Sequence, residues 1–330
     1  MDFPEKNLFA EADSEYTDYR IPAMVISPRG VIYVAFECRM DTSDWANIDL
    51  RVMKSTDGGA SFRQILKVPG QGKTLNNPVL LLDGEILHFV YCLEYRQVYH
   101  TVTEDEGDTW CTPREITQVF ADLAHTVVAT GPGHGIVTAD GTFVLPVWLA
   151  YDPEDLHAHR PSFVTTLYSR DKGKTWSHGE TLEAQDLVNA NETAIVSLSN
   201  GSVLLNIRNR HPEKRARFLA VSPNGYDHWT CLGMDERFPD PWCMGSMCSG
   251  GGNVFFCNCE SEEGRKNLTL KCSTDDFASF TKIPVCDVAG YSEIAWWDGC
   301  VYVLYESYLQ GEERRYDHKL HLKKINVHGE

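Results

Sequence analysis

Six hairpin turns recur at intervals of about fifty residues, a second turn motif keeps the same interval, and helical periodicity is almost absent. Together these predict an all-β fold, a six-bladed β-propeller of four-stranded antiparallel sheets. The hairpin dipeptides are Arg29-Gly30, Asp83-Gly84, Asp140-Gly141, Asn200-Gly201, Gly250-Gly251 and Asp298-Gly299, each between two apolar runs. Their second glycines are 54, 57, 60, 50 and 48 residues apart. Such dipeptides supply the positive φ that tight hairpins need.

The second motif reads Ser/Thr-x-Asp-x-Gly-x-Ser/Thr-aromatic. It opens as Ser55-Thr56-Asp57-Gly58-Gly59-Ala60-Ser61-Phe62 and returns at Thr103 through Trp110 and at Ser169 through Trp176. Degenerate copies follow at Ser222 through Trp229 and at Ser273 through Phe280, where Phe277 replaces the glycine and turn stability is expected to suffer. The Asp and Ser side chains are placed to bond local amides while the aromatic anchors the turn. Between these punctuation marks the chain is short β-branched and aromatic runs. The one helical pattern is Glu115 to Ala124, with Ile116, Val119, Phe120 and Leu123 at helical spacing. The sixth unit lacks the stapled turn, so the two chain ends are expected to complete that blade together. Residues Lys319–Leu322 and Lys324–Val327 alternate as an edge strand. No linker of biased composition interrupts the chain, and residues 1–330 are expected to form a single domain.

Composition excludes several classes. With 42% hydrophobic residues the chain has ample core for its 330 residues, and disorder is excluded. No window approaches eighteen consecutive apolar residues, so no transmembrane helix is expected. Met1-Asp2-Phe3-Pro4-Glu5-Lys6 has no apolar run, which argues against a secretory signal and for a cytoplasmic protein or a trimmed secreted one. The net charge of −17 repels nucleic acid and anionic membranes. An anionic ligand would need a local cationic site. The eleven cysteines show no zinc spacing, and most lie in apolar runs (Cys38, Cys92, Cys300), so reduced core thiols and no metal are expected. Three N-x-S/T sequons (Asn191, Asn200, Asn267) are expected to be unglycosylated.

Phase within the repeat selects the candidate reactive residues. Arg20 lies ten residues before Gly30, Glu192 nine before Gly201 and Tyr291 eight before Gly299. Arg39 lies nine after Gly30, and Arg208 and Glu306 each lie seven after their glycines. The outer ends of a hairpin lie opposite its turn, and equivalent phases of different blades converge on the propeller axis. Two glutamates, a tyrosine and these arginines are therefore expected to meet at one mouth of the channel, as an anion-binding site.

The same residues carry a family resemblance along nearly the whole chain. Tyr19-Arg20-Ile21-Pro22 resembles the Arg-Ile-Pro motif of sialidases (exo-α-neuraminidases), and the stapled turns resemble their Asp boxes. Phe36-Glu37-Cys38-Arg39 followed by Asp44 is similar to the segment with a substrate arginine and the acid/base aspartate. Gly131–Ile136 resembles the loop before blade three. Asn191-Glu192 and Leu204–Arg208 resemble the glutamate and second arginine, and Pro239–Ser246 with Arg265–Thr269 the third-arginine region. Tyr291-Ser292-Glu293 and Leu304-Tyr305-Glu306 resemble the nucleophile and the final glutamate.

The resemblance implies that Arg20, Arg208 and Arg265 clamp a sialic acid carboxylate, with Glu306 holding Arg20 and Arg39 contacting ring hydroxyls. It implies Tyr291 as nucleophile, Glu192 as its base and Asp44 as acid/base, with retention of anomeric configuration and no metal or organic cofactor. Asp41 and Asp49 compete with Asp44 for the acid role. Trp148 falls where some members place an aromatic over the sugar, although a core position is the expectation. The partners implied are sialylated oligosaccharides, glycoproteins or glycolipids. Two alternatives stay open: hydrolysis of a related ulosonic acid such as KDN, and a non-catalytic sialoglycan-binding propeller.

Overall fold

The computed structural model describes residues 6–7, 16–308 and 316–327. Strand β1 (Lys6–Asn7) belongs to the last blade. Blade one is β2 (Asp18–Ile26), β3 (Ile32–Arg39), β4 (Ile48–Ser55) and β5 (Arg63–Val68). Blade two is β6 (Leu75–Asp83), β7 (Ile86–Leu93), β8 (Gln97–Thr103) and β9 (Arg114–Glu115). Blade three is β10 (Val127–Thr130), β12 (Ile136–Val137), β13 (Phe143–Ala150), β14 (Ser162–Ser169) and β15 (Ser177–His178), while β11 (Gly133–His134), between β10 and β12 in the chain, joins the sheet of blade two. Blade four is β16 (Thr193–Ser197), β17 (Val203–Ile207), β18 (Ala216–Ser222) and β19 (Thr230–Pro239). Blade five is β20 (Ser246–Gly250), β21 (Asn253–Cys259), β22 (Leu268–Ser273) and β23 (Thr281–Cys286). Blade six is β24 (Ala289–Trp297), β25 (Cys300–Tyr308), β26 (Tyr316–Asn326) and β1.

All six predicted dipeptides lie at the turn between the inner strand of a blade and its second strand, Asp140-Gly141 between β12 and β13. The innermost strands touch in a ring, β24 to β2 to β6, then through β10 and β13 to β16, β20 and back to β24. Buried Val, Leu, Ile and Phe side chains pack between successive blades, for example Val79, Val90 and Phe120 of blade two against Val128, Leu145 and Leu167 of blade three. No helix among the described residues is long and apolar enough to cross a membrane, and all eleven cysteines are free thiols.

The structure corrects four details. First, the helical pattern at Glu115–Ala124 yields a single 3-10 turn, Thr117–Phe120. Arg114 and Glu115 instead pair with β8 as the blade's outer strand, and Ile116 and Phe120 are its buried anchors. Second, β26 is not an edge. Both chain ends do complete blade six, but β1 lies outside β26, with Lys6 opposite Leu322 and Asn7 opposite His321.

Third, the Gly131–Ile136 segment does not precede blade three. It divides that blade's inner strand: β10 and β12 both pair with β13, and between them β11 reaches across to pair parallel with β6. Gly133 (φ +113°) is required there, because a Cβ would stand 2.1 Å from Glu293 Oε2. Fourth, the fifth stapled turn is intact. Ser279 N donates to Asp275 Oδ1 at 2.9 Å and Phe277 N donates to Ser273 Oγ at 2.8 Å, matching the turn at Asp57. Phe277 itself takes the left-handed φ of +67° where a glycine was expected. Its ring is buried against Phe238 and Phe280, which offsets the backbone strain. In the fourth turn Asn224 Oδ1 takes the amides of Tyr226 and Asp227 instead.

Candidate active site

Three of the inner strands carry a bulge at the same end of the channel. Register breaks fall between Arg20 and Ala23 in β2, Asn76 and Val79 in β6, and Ala289 and Ser292 in β24. A bulge frees backbone N–H groups from the ladder and re-aims side chains. Buried carboxylates on second strands take up the freed donors. Glu306 on β25 accepts from Ile21 N at 2.9 Å and Tyr291 N at 3.2 Å, and Glu37 on β3 accepts from Asn77 N at 3.0 Å. Ile21 and Asn77 accordingly hold positive φ values of 56° and 54°.

The re-aimed side chains line a cavity of about 280 Å³ at the channel mouth. It contains Arg20, Arg39, Asp44, Glu192, Arg208, Arg265 and Tyr291, so every predicted site residue except Glu306 faces it. Glu306 stands directly behind, its Oε1 3.2 Å from Arg20 Nε and its Oε2 3.3 Å from Arg20 Nη2. The Tyr291 hydroxyl donates to Glu192 Oε1 and accepts from Arg208 Nη1 at 2.8 Å. The same Arg208 Nη1 lies 2.5 Å from Glu192 Oε2. The Arg20 and Arg265 guanidiniums stand 5.6 and 5.0 Å from the Tyr291 ring centroid. Three guanidiniums thus surround one phenol.

Arg39 is fully buried and fixed from two sides. Its Nη2 is 2.6 Å from Glu37 Oε2, and its Nη1 is 2.8 Å from Asp44 Oδ1. Asp44 has a side chain 49% exposed at the rim, so it is reachable by both ligand and water. The competing acids are accounted for elsewhere. Asp41 accepts from Ser43 N at 2.7 Å in an exposed turn and does not line the cavity. Asp49 accepts from the Tyr16 hydroxyl and Gly70 N, with Lys67 at 3.1 Å, and is a buried brace between strands. Trp148 is both things at once: it packs in the interblade core and lines the cavity, with a buried Nε1 that has no hydrogen-bond partner.

Electrostatics separate the phenol from the carboxylates. Burial, reinforced by the Glu192 charge, raises the Tyr291 pKa far above the ordinary phenol value. For Glu192 burial pulls upward, yet the Arg208 charge and the Tyr291 hydrogen bond together hold it below the usual carboxylate range. Asp44 is likewise lowered, burial being outweighed by Arg39 and Arg20.

Sequence reasoning missed Asn77, Tyr95, His159, Arg160 and Arg210 on the cavity wall, and Glu37 behind Arg39. A signal existed for Glu37, which lies seven residues after Gly30, the phase of Arg208 and Glu306. None existed for the residues on irregular loops.

Comparison with known proteins agrees with this architecture. Residues 66–303 match the family described as BNR repeat-like domain. A sialidase of Bacteroides fragilis is 24% identical over 305 residues, covering 80% of this chain and 54% of the relative. Sialidase-3 of Bos taurus is 25% identical over 300 residues, covering 79% of this chain and 67% of the relative. The chain thus spans about half the length of the Bacteroides protein. Among solved structures, a Hadza microbial sialidase superposes with a TM-score of 0.84 at 21% identity, covering 98% of this chain and 68% of its own. Trypanosoma rangeli sialidase, in a complex with 2,3-difluorosialic acid described as a covalent intermediate, superposes with a TM-score of 0.75 at 18% identity, covering 94% and 54%. With its repeats, ring of six sheets and matched segment spanning most of its length, the chain belongs to the BNR repeat-like domain family, and the relatives it resembles are sialidases.

Proposed function

We propose that this chain is an exo-α-sialidase that removes terminal sialic acid from glycoconjugates with retention, through a tyrosine nucleophile. The observation that carries the reading is the Tyr291 hydroxyl, bonded to both Glu192 and Arg208 in a cavity with Arg20 and Arg265. A phenol is the nucleophile that this electrostatic setting favours. The anomeric carbon of sialic acid bears a carboxylate, which repels an anionic nucleophile, whereas a neutral phenol approaches without that cost. Arg20, Arg208 and Arg265 bind the carboxylate through planar guanidinium forks that remain charged at any working pH. Arg39 reaches the ring hydroxyls.

In the first step the Tyr291 oxygen bonds to the anomeric carbon as the glycosidic bond breaks. Glu192 takes the phenolic proton, and Asp44, entering protonated, gives its proton to the leaving oxygen. In the second step water attacks the same carbon and Asp44 takes its proton. The tyrosyl bond breaks, and Glu192 returns the first proton to the phenolate. Two inversions give retention. The raised pKa of Tyr291 keeps the phenol neutral until Glu192 removes the proton during attack, and the lowered pKa of Glu192 keeps that base ionised. A purely binding propeller would need the clamp alone; the base in contact with the phenol favours the enzyme.

A fluorogenic sialoside assayed between about pH 4 and 8 tests the reading. The wild type is expected to release the fluorophore, and Tyr291→Phe to lose at least about a thousandfold in kcat, in line with removal of a nucleophile. No release by the wild type would end the sialidase reading. Near-normal kcat in Tyr291→Phe would remove the tyrosine from the nucleophile role.

A further inference from the structure

Two arginines in the cavity are left over by the chemistry above. Arg210, two residues beyond Arg208, and Arg160, on the loop between β13 and β14, both line the cavity wall beside Glu192 and Trp148. Among the described residues neither guanidinium has an ion-pair partner, and the buried Arg210 Nε has no hydrogen-bond partner. The nearby carboxylates are engaged. Glu192 gives one oxygen to Tyr291 and the other to Arg208, and Asp44 gives Oδ1 to Arg39. Arg210 is instead flanked by the indole of Trp242, its guanidinium 5.5 Å from the ring centroid. Burial, and then the neighbouring Arg208 charge, pull its pKa down to about 10, so the site as it stands disfavours this cation.

Charge counting around the cavity points the same way. Six guanidiniums line it: Arg20, Arg39, Arg160, Arg208, Arg210 and Arg265. Asp44 and Glu192 within it, and Glu37 and Glu306 bonded behind it, supply four carboxylates. One sugar carboxylate in the clamp leaves a surplus positive charge on the Arg160–Arg210 side. In a protein of net charge −17 this surplus is local to the site. Arg210 is half-buried with its Nε shielded from solvent, so its charge without a counterion is costly, and a second anion brought by the ligand relieves the cost.

We infer that Arg160 and Arg210 form a second oxyanion subsite, making the favoured substrate a dianionic sialoside. The shared chemistry is an oxyanion held by two guanidiniums, which either the carboxylate of an adjoining sialyl residue or a sulfate ester on the glycan supplies. The inference rests on the sialidase reading, and the test separates the two. Four ligands are compared on the full chain: a monosialoside, an α2,8-linked disialoside, the same disialoside with its internal carboxylate converted to an amide, and a sulfated monosialoside. Rates give kcat/KM, and calorimetric titration of the Tyr291→Phe protein gives affinity independent of turnover.

The wild type is expected to favour at least one dianionic ligand over its neutralised or unsulfated counterpart by about tenfold or more, the scale of one charge-assisted hydrogen bond. Which ligand wins identifies the source of the anion. Arg210→Gln, and separately the exposed Arg160→Gln, are expected to shrink that ratio, mainly through KM. Equal treatment of charged and neutralised ligands overturns the subsite, as does a preference that survives both substitutions. Failure of the sialidase reading is a different result: no turnover of any ligand, with the calorimetric ratio still deciding the subsite.

Discussion

The acid/base pair is where single residues set measurable behaviour. In the proposed mechanism Asp44 enters the first step protonated, yet Arg39 and Arg20 hold its pKa below the usual carboxylate range. Activity that requires the protonated form is lost as pH rises through that pKa. The alkaline limb of kcat/KM, which reports the free enzyme, is therefore expected in the acidic range. Once a sialic acid carboxylate offsets the arginine charges, the Asp44 pKa rises, so the alkaline limb of kcat should lie at higher pH than that of kcat/KM. Coincident limbs would contradict this account of Asp44. The resemblance favoured Asp44 over two competing acids by its spacing from Arg39, and placement separates the three: Asp44 lines the cavity, Asp41 caps its own turn and Asp49 braces Tyr16 and Gly70. Glu37 was legible by its phase, since a second strand repeats its geometry from blade to blade. Arg160 was not, because the loop that carries it follows no period.

At the scale of elements, the segment from β19 to β20 packs against Tyr291 and supports it. Cys243 and Met244 pack against Tyr291, and Asp240 fixes their loop. Asp240 Oδ1 accepts from Cys243 N at 2.8 Å, while Arg217 Nη1 lies 2.9 Å from Asp240 Oδ2 and donates to Cys243 O at 2.7 Å. Arg217 and Asp240 are both fully buried, so removing one partner strands the other charge. Asp240→Ala is expected to lower stability by about 3–5 kcal/mol in urea unfolding, and Arg217→Met with Asp240→Leu to recover much of it. A loss under about 1 kcal/mol for Asp240→Ala would show that this strut does not hold the loop. The turns were legible because each carries its own hydrogen-bond acceptors. Hydrogen bonding within the fifth turn survives the missing glycine because the buried Phe277 ring packs against Phe238 and Phe280, a tertiary contact that no local motif encodes. The Glu115–Ala124 pattern misled for a related reason, since the blade needed an outer strand at Arg114–Glu115.

For the whole molecule, the repeat period was enough to predict the ring, and the ring was enough to gather residues 20, 39, 192, 208 and 291 at one mouth. Period alone did not reveal that blade three's inner strand is divided, because that division depends on β11 finding β6 and on Gly133 clearing Glu293. The central claim is that this convergence makes Tyr291 the residue that bonds to the sugar. Incubating the protein with a 2,3-difluorinated sialic acid, which slows release of the glycosyl intermediate, and then mapping the adduct by peptide mass spectrometry tests it most directly. The account predicts one sialyl adduct, on the peptide bearing Tyr291, absent from Tyr291→Phe. An adduct on Glu192 or Asp44, or steady hydrolysis of sialosides with no adduct trapped at all, would contradict it.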